Sequence, residues 1–134
     1  MKESEKQNLY ETFNAVINSI IAEKKQNEKY DDLLNELDAK INLGLQITED
    51  YYFWVNLVGK NGDVKLNRGK LDEYDLELKA APEDLMYYSN GENSLLHMMF
   101  KKNTYGNRKL RFSKGTTGMN FGLLLKLPKI LVLD

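Results

Sequence analysis

Apolar residues recur at three- and four-residue spacing over the first part of the chain. Leu9, Phe13, Val16, Ile17, Ile20 and Ile21 make one stripe, which predicts a helix over 4–24 with Ser4 as its N-cap. Lys24-Lys25-Gln26-Asn27 ends the stripe with polar residues. Tyr30, Leu33, Leu34, Leu37 and Ile41 share a second face and predict a helix over 28–41, with Gly44 marking the change to extended structure.

From there the period drops to two. Leu43, Leu45 and Ile47 share one face of a first strand. Tyr51 to Val58 (YYFWVNLV) is aromatic and β-branched, a strong strand signal. Its alternation sends Tyr51, Phe53 and Val55 to one side, and Tyr52 and Trp54 to the other. Gly59-Lys60-Asn61-Gly62 reads as a hairpin turn, because Asn-Gly accepts the positive φ of tight turns. Val64 and Leu66 alternate in a third strand that Arg68-Gly69 closes, and Tyr74, Leu76 and Leu78 alternate in a fourth. Three consecutive strands joined by short loops predict an antiparallel meander.

Ala81-Pro82-Glu83-Asp84 is a helix start, with proline in the first turn and acids at the positive end of the helix dipole. That helix runs to Tyr88 or Ser89 and stops at Asn90-Gly91. Asn93 or Ser94 caps another through Phe100, bearing Leu95, Leu96, Met98 and Met99. Residues 101–108 form a polar loop and Lys109 to Ser113 a fifth strand. Gly115-Thr116-Thr117-Gly118 then leads into an apolar helix through Leu127, which Pro128 ends. Phe121, Leu124 and Leu125 share a face of it, flanked by Leu123 and Leu127, so it is apolar around more than half its girth.

Composition narrows the function classes. A chain of 134 residues fits one domain and buries roughly two-thirds of its unfolded surface without staples. The absence of cysteine excludes disulfides, thiolate metal sites and cysteine nucleophiles. Net charge is −1, without the basic surplus of a nucleic-acid binder. No apolar run approaches the roughly 20 residues of a membrane span, and the charged N-terminus lacks a signal-peptide core. A cytoplasmic location is expected.

The order of elements, with Trp54-Val55 before Lys60-Asn61-Gly62, then Asp75-Leu76-Glu77-Leu78, Asp84-Leu85 with Gly91, Lys109-Leu110-Arg111-Phe112 with Gly115, and Leu123 to Leu127, resembles the sterol carrier protein family of lipid-transfer domains. The resemblance covers about Tyr30 to Leu127. It implies an α+β fold: a five-stranded, mostly antiparallel sheet covered on one face by helices, with an apolar tunnel between them. Residues 1–134 are then one sterol-carrier-like domain, with 1–27 as an N-terminal helical extension. Members bind sterols, fatty acyl chains or phospholipids, alone or as domains of larger enzymes. This chain differs in its longer N-terminal helix, its extended loop at 101–108 and the absence of a C-terminal targeting signal, so a peroxisomal role is not expected.

Residues that could carry chemistry are few. His97, the sole histidine, lies between Leu96 and Met98 on an apolar helix, with no nucleophile or carboxylate in pattern with it. The pairs Glu49-Asp50, Asp72-Glu73 and Glu83-Asp84 fall at turns or helix starts, where acids are common. One histidine and scattered acids match neither zinc nor calcium spacing. Residues 115–118 could offer free N–H groups to an anion beside Lys114, or be a plain strand-to-helix turn. Met86, Met98, Met99 and Met119 fall in the helical cover, where methionine suits either a core or a pocket for flexible chains. No enzymatic activity, metal or cofactor is expected.

The expected ligand is an apolar lipid. Its lining is drawn from Leu85, Met86, Leu95, Met98, Met99, Phe112, Phe121, Leu124 and Leu125. Leu45, Ile47, Val64, Leu66, Leu76, Leu78, Leu110 and Phe112 make the sheet floor. Two alternatives stay open: an interaction or self-association module with a filled core, and an accessory domain for an enzyme of lipid metabolism. The N-terminal stripe likewise has three readings: extra cover for the domain, a homodimer helix, or a transient membrane contact.

Overall fold

The computed structural model describes residues 1–89 and 95–114. Helix α1 spans Glu3–Lys25 and buries Phe13, Ile17, Ile20 and Ile21, the centre of the stripe read from the sequence. Lys2 rather than Ser4 precedes its first turn, with no side-chain cap. A single 3₁₀ turn at Glu28–Tyr30, capped by the Asn27 side chain, leads into a short α2 at Asp31–Glu36.

The expected helix over 28–41 therefore stops early. Leu37 is already extended (φ −71°, ψ 113°), and Ala39–Gln46 is strand β1. Ile41 satisfies both the helical spacing behind it and the alternation ahead of it. Pairing decides the outcome, because β1 is central and hydrogen-bonds on both edges. Every β1 residue except Lys40 is buried.

Strand β2 (Tyr52–Lys60) pairs antiparallel with β1 and with β3 (Asp63–Arg68). The connecting turn has Asn61 at φ 55° and Gly62 at φ 82°, the left-handed pair that a two-residue hairpin needs. The expected meander ends here. Strand β4 (Leu76–Ala80) lies parallel to β1 on its far edge, not beside β3. The link folds across the outer face of the sheet to reach that edge. Gly69 N donates to Trp54 O at 2.9 Å, Asn56 Nδ2 donates to Gly69 O at 2.9 Å, and Asn42 exchanges two hydrogen bonds with the Leu71 backbone.

The result is an open mixed sheet with a body of four strands in the order β3-β2-β1-β4. The fifth strand expected over Lys109 to Ser113 is reduced to an edge segment, β5 at Arg111–Lys114, joined to β4 with a register shift between Glu77 and Leu78. Helices α3 (Pro82–Ser89) and α4 (Leu95–Phe100) form where the sequence placed them. The turn at 115–118 and the closing helix through Leu127, with Met119, lie outside the described residues.

Strand pleat divides the side chains by face. Ile41, Leu43 and Leu45 face inward with Phe53, Val55 and Leu57 on one side and Leu76, Leu78 and Ala80 on the other, in register. Val64 and Leu66 continue this layer, and α1 packs on it. Helix α1 runs antiparallel to β3: Arg68 bonds Glu3 at 2.6 Å and Gln7 at 2.9 Å at one end, and Lys25 bonds Asp63 at 2.9 Å at the other. Between them Tyr10 Oη donates to Leu66 O at 3.0 Å.

Candidate functional site

The apolar layer on the inner face is the first candidate. Leu85 and Met98 come down on it, buried, and Met86 packs beside them half-buried. Of the floor residues read from the sequence, Leu45, Val64, Leu66, Leu76, Leu78 and Leu110 are buried in one cluster. Ile47 lies just past the end of β1, half-buried against it. Leu95 and Met99 lie on α4, and Phe112 stands opposite Leu78 in β5. Their side chains, and Phe121, Leu124 and Leu125 entirely, lie outside the described residues.

The outer face carries a different layer. Tyr52 and Trp54 sit 6.3 Å apart, as their alternation required. Lys70 lies 4.4 Å from the Trp54 ring centroid, Lys79 5.2 Å from that of Tyr52, and Arg111 5.6 Å from the same tyrosine. Cations over half-buried rings stabilise the face by roughly 0.5–1 kcal/mol each. Lys70 also pairs with the buried Glu77 at 3.0 Å.

At the end of β1 a polar clasp holds the loop after α4. Gln46, buried, donates to Asn107 Oδ1 at 3.0 Å and accepts from Asn103 Nδ2 at 3.1 Å and Arg111 Nη2 at 2.9 Å. Tyr105 Oη donates to Ile47 O at 2.8 Å, closing the loop against the strand. None of these polar residues stood out in the sequence; the signal available was the density of amide side chains in 101–108, which reads equally well as a solvated loop.

Beside the clasp, between this loop and the start of α3, two open cavities adjoin at Glu83. One of about 290 Å³ is lined by Gln46, Ile47, Ala81, Pro82, Glu83 and Tyr105. The other, about 420 Å³, is lined by Glu83, Asp84, Lys102, Asn103, Thr104 and Lys109. A third, about 430 Å³, lies apart at the β2–β3 hairpin against Val58, Lys60 and Lys65.

Asp84 is the unusual group here. Its side chain is 5% exposed, and burial pushes its carboxyl above the ordinary range, against the pull of Lys109. Other shifted carboxyls belong to surface pairs: the Arg68 hydrogen bond holds Glu3 low, and the Lys25 hydrogen bond does the same for Asp63. His97 is exposed. Glu49, Asp50, Asp72 and Glu73 are exposed at their turns. Among the described residues no three His, Asp or Glu side chains gather at metal-binding distance, and no helix is long and apolar enough to cross a membrane.

No protein-family model matches the chain, and no curated protein does. Solved structures do. Sterol Carrier Protein 2 from Yarrowia lipolytica in its apo form superposes with a TM-score of 0.60 over 91% of each chain, at 15% identity. The sterol carrier protein domain 2 of Helicoverpa armigera gives 0.61 over 84% of this chain and 82% of that one, at 11% identity. The chain has the sterol carrier protein fold. A third neighbour, the UbiJ-SCP2 ubiquinone synthesis protein, gives 0.57 over 96% of both chains at 13% identity. At such identities the likeness is one of fold.

Proposed function

We propose that this chain binds an apolar lipid of the fatty acyl, sterol-like or phospholipid class on the inner face of its sheet, and carries it without chemical change. The observation that carries the reading is the apolar inner layer, from Val64 and Leu66 through Leu45 and Leu57 to Leu78, under helices bearing Leu85, Met86 and Met98, in a fold shared with proteins named as sterol carriers. Burying an acyl chain gains about 0.8 kcal/mol per CH₂, so such a site needs few polar groups. The finer lining, with Leu95, Met99, Phe112, Phe121, Leu124 and Leu125, belongs to this proposal, as do the single-domain organisation with 1–27 as an extension, the absence of catalysis and a cytoplasmic location. Self-association through the α1 stripe is disfavoured, because Phe13, Ile17, Ile20 and Ile21 are already buried within the chain.

The likeness to the UbiJ-SCP2 ubiquinone synthesis protein over 96% of both chains supports a second reading, an accessory domain that presents an apolar intermediate to an enzyme. Native mass spectrometry of freshly purified protein tests the shared premise. A retained lipid mass, and saturable titration with a fluorescent fatty acid at micromolar level or better, are expected. No binding across fatty acids, sterols and phospholipids would leave the filled-core interaction module.

A further inference from the structure

Asp84 Oδ1 lies 3.8 Å from Lys109 Nζ, beyond hydrogen-bond range, and Oδ2 is shielded from solvent with no partner at all. Native proteins rarely leave a buried carboxylate oxygen unpaired, and an ion or ligand is a recurring reason when they do. Asp84 is also part of the wall of the 420 Å³ cavity. Around that cavity stand two carboxylates, Glu83 and Asp84, and two ammonium groups, Lys102 and Lys109, with Asn103 and Thr104 between. Oδ2 of Asp84 lacks a donor, and Lys102 and Lys109 present two point charges of the kind that bind phosphate.

We propose that this cleft binds a phosphorylated amino-alcohol, a primary ammonium joined to a phosphate, with Asp84 accepting from the ammonium and Lys102 and Lys109 facing the phosphate. The same chemistry occurs as a free small molecule and as a lipid head group. The proposal does not rest on the lipid reading, since the cleft is built from polar residues outside the inner layer.

The test is a titration of the full chain followed by ¹⁵N–¹H NMR, using O-phosphoethanolamine, ethanolamine, inorganic phosphate and monomeric dihexanoyl phosphatidylethanolamine. O-phosphoethanolamine is expected to shift the amides of Asp84, Lys102, Asn103, Thr104 and Lys109 saturably, at least tenfold tighter than ethanolamine or phosphate. Asp84→Asn is expected to weaken it at least tenfold while the protein stays folded, and Lys102→Ser, at an exposed position, to weaken it severalfold. If the short-chain lipid shifts the same amides and loses affinity in Asp84→Asn, a head group is an accepted source; if only the free compound does, the ligand is the free one. The proposal is overturned if neither compound saturates, if phosphate alone binds equally well, or if Asp84→Asn binds like the parent. Failure of fatty-acid binding with O-phosphoethanolamine binding intact would remove the lipid reading and leave this one.

Discussion

A methyl group on Gly44 would stand 2.9 Å from Cη2 of Trp54 and 3.2 Å from Cγ of Lys79. Gly44 pairs with both residues across the central strand, so the indole lies over bare backbone. Gly44→Ala gains some strand entropy but must push the ring and the Lys79 stem aside. A net loss of about 1–2 kcal/mol is expected. Trp54 is the sole tryptophan, so its emission should shift to longer wavelength as the ring is displaced. An unchanged melting temperature and spectrum would show that the indole moves freely over the sheet.

Phe13→Ala tests whether α1 belongs to the core. Phe13 is 6% exposed within the cluster that includes Leu57 and Leu66, and removing a buried phenyl ring costs about 3–5 kcal/mol. A fall in melting temperature of roughly 10 °C or more is expected, independent of protein concentration. A small fall, or one that depends on concentration, would make α1 an accessory or dimerising helix.

Much of this architecture was legible because local signals agreed with tertiary need. The Ile17–Ile21 stripe, the Asn61-Gly62 turn and the opposed faces of Phe53 and Trp54 are each fixed by spacing or backbone preference alone. Ile41 was misread because an i, i+4 relation to Leu37 and an i, i+2 relation to Leu43 coexist there. The parallel placement of β4 depends on Asn42 and Asn56 holding the Leu71 and Gly69 backbones, and nothing in an asparagine's neighbours announces that partner. The apolar floor was legible from alternation. The polar cleft was not, since Asp84 resembles any acid in a first helical turn until its burial is seen.

Asp84 gives a pH signature. An acid whose folded-state pKa is raised binds more protons folded than unfolded, so its contribution to stability falls as pH rises through that range. Asp84→Asn removes the dependence. At pH 7 the variant is expected to be the more stable of the two, with the higher melting temperature. The gap should close as pH drops below the ordinary carboxyl value of 3.8. A gap of opposite sign at pH 7 would mean that the Lys109 pairing outweighs the cost of burial.

His97→Ala is expected to change stability by about 0.5 kcal/mol or less, since the side chain is exposed, and to leave fatty-acid affinity unaltered. Loss of a measurable hydrolytic or transfer activity in this variant would overturn the non-catalytic proposal.

Gln46→Leu tests the clasp. The side chain is 1% exposed, and its amide satisfies Asn103, Asn107 and Arg111 at once. Leucine has similar volume, so no cavity follows. The cost comes from polar groups left without partners, and Arg111 Nε already has none. Water can reach the half-buried asparagines, so about 2–3 kcal/mol is expected, not the sum over three lost bonds. The effect should be local. The loop's backbone bonds, Asn103 N to Asn107 O, Lys109 N to Lys101 O and Leu110 N to Met98 O, should exchange hydrogen faster by a larger factor than amides of the β2–β3 hairpin. Gln46→Glu keeps an acceptor for Arg111 and Asn103 and should retain most of the protection. Equal acceleration everywhere in Gln46→Leu would mean that Gln46 supports the whole sheet, and no change would mean that Tyr105 and the backbone bonds hold the loop without it.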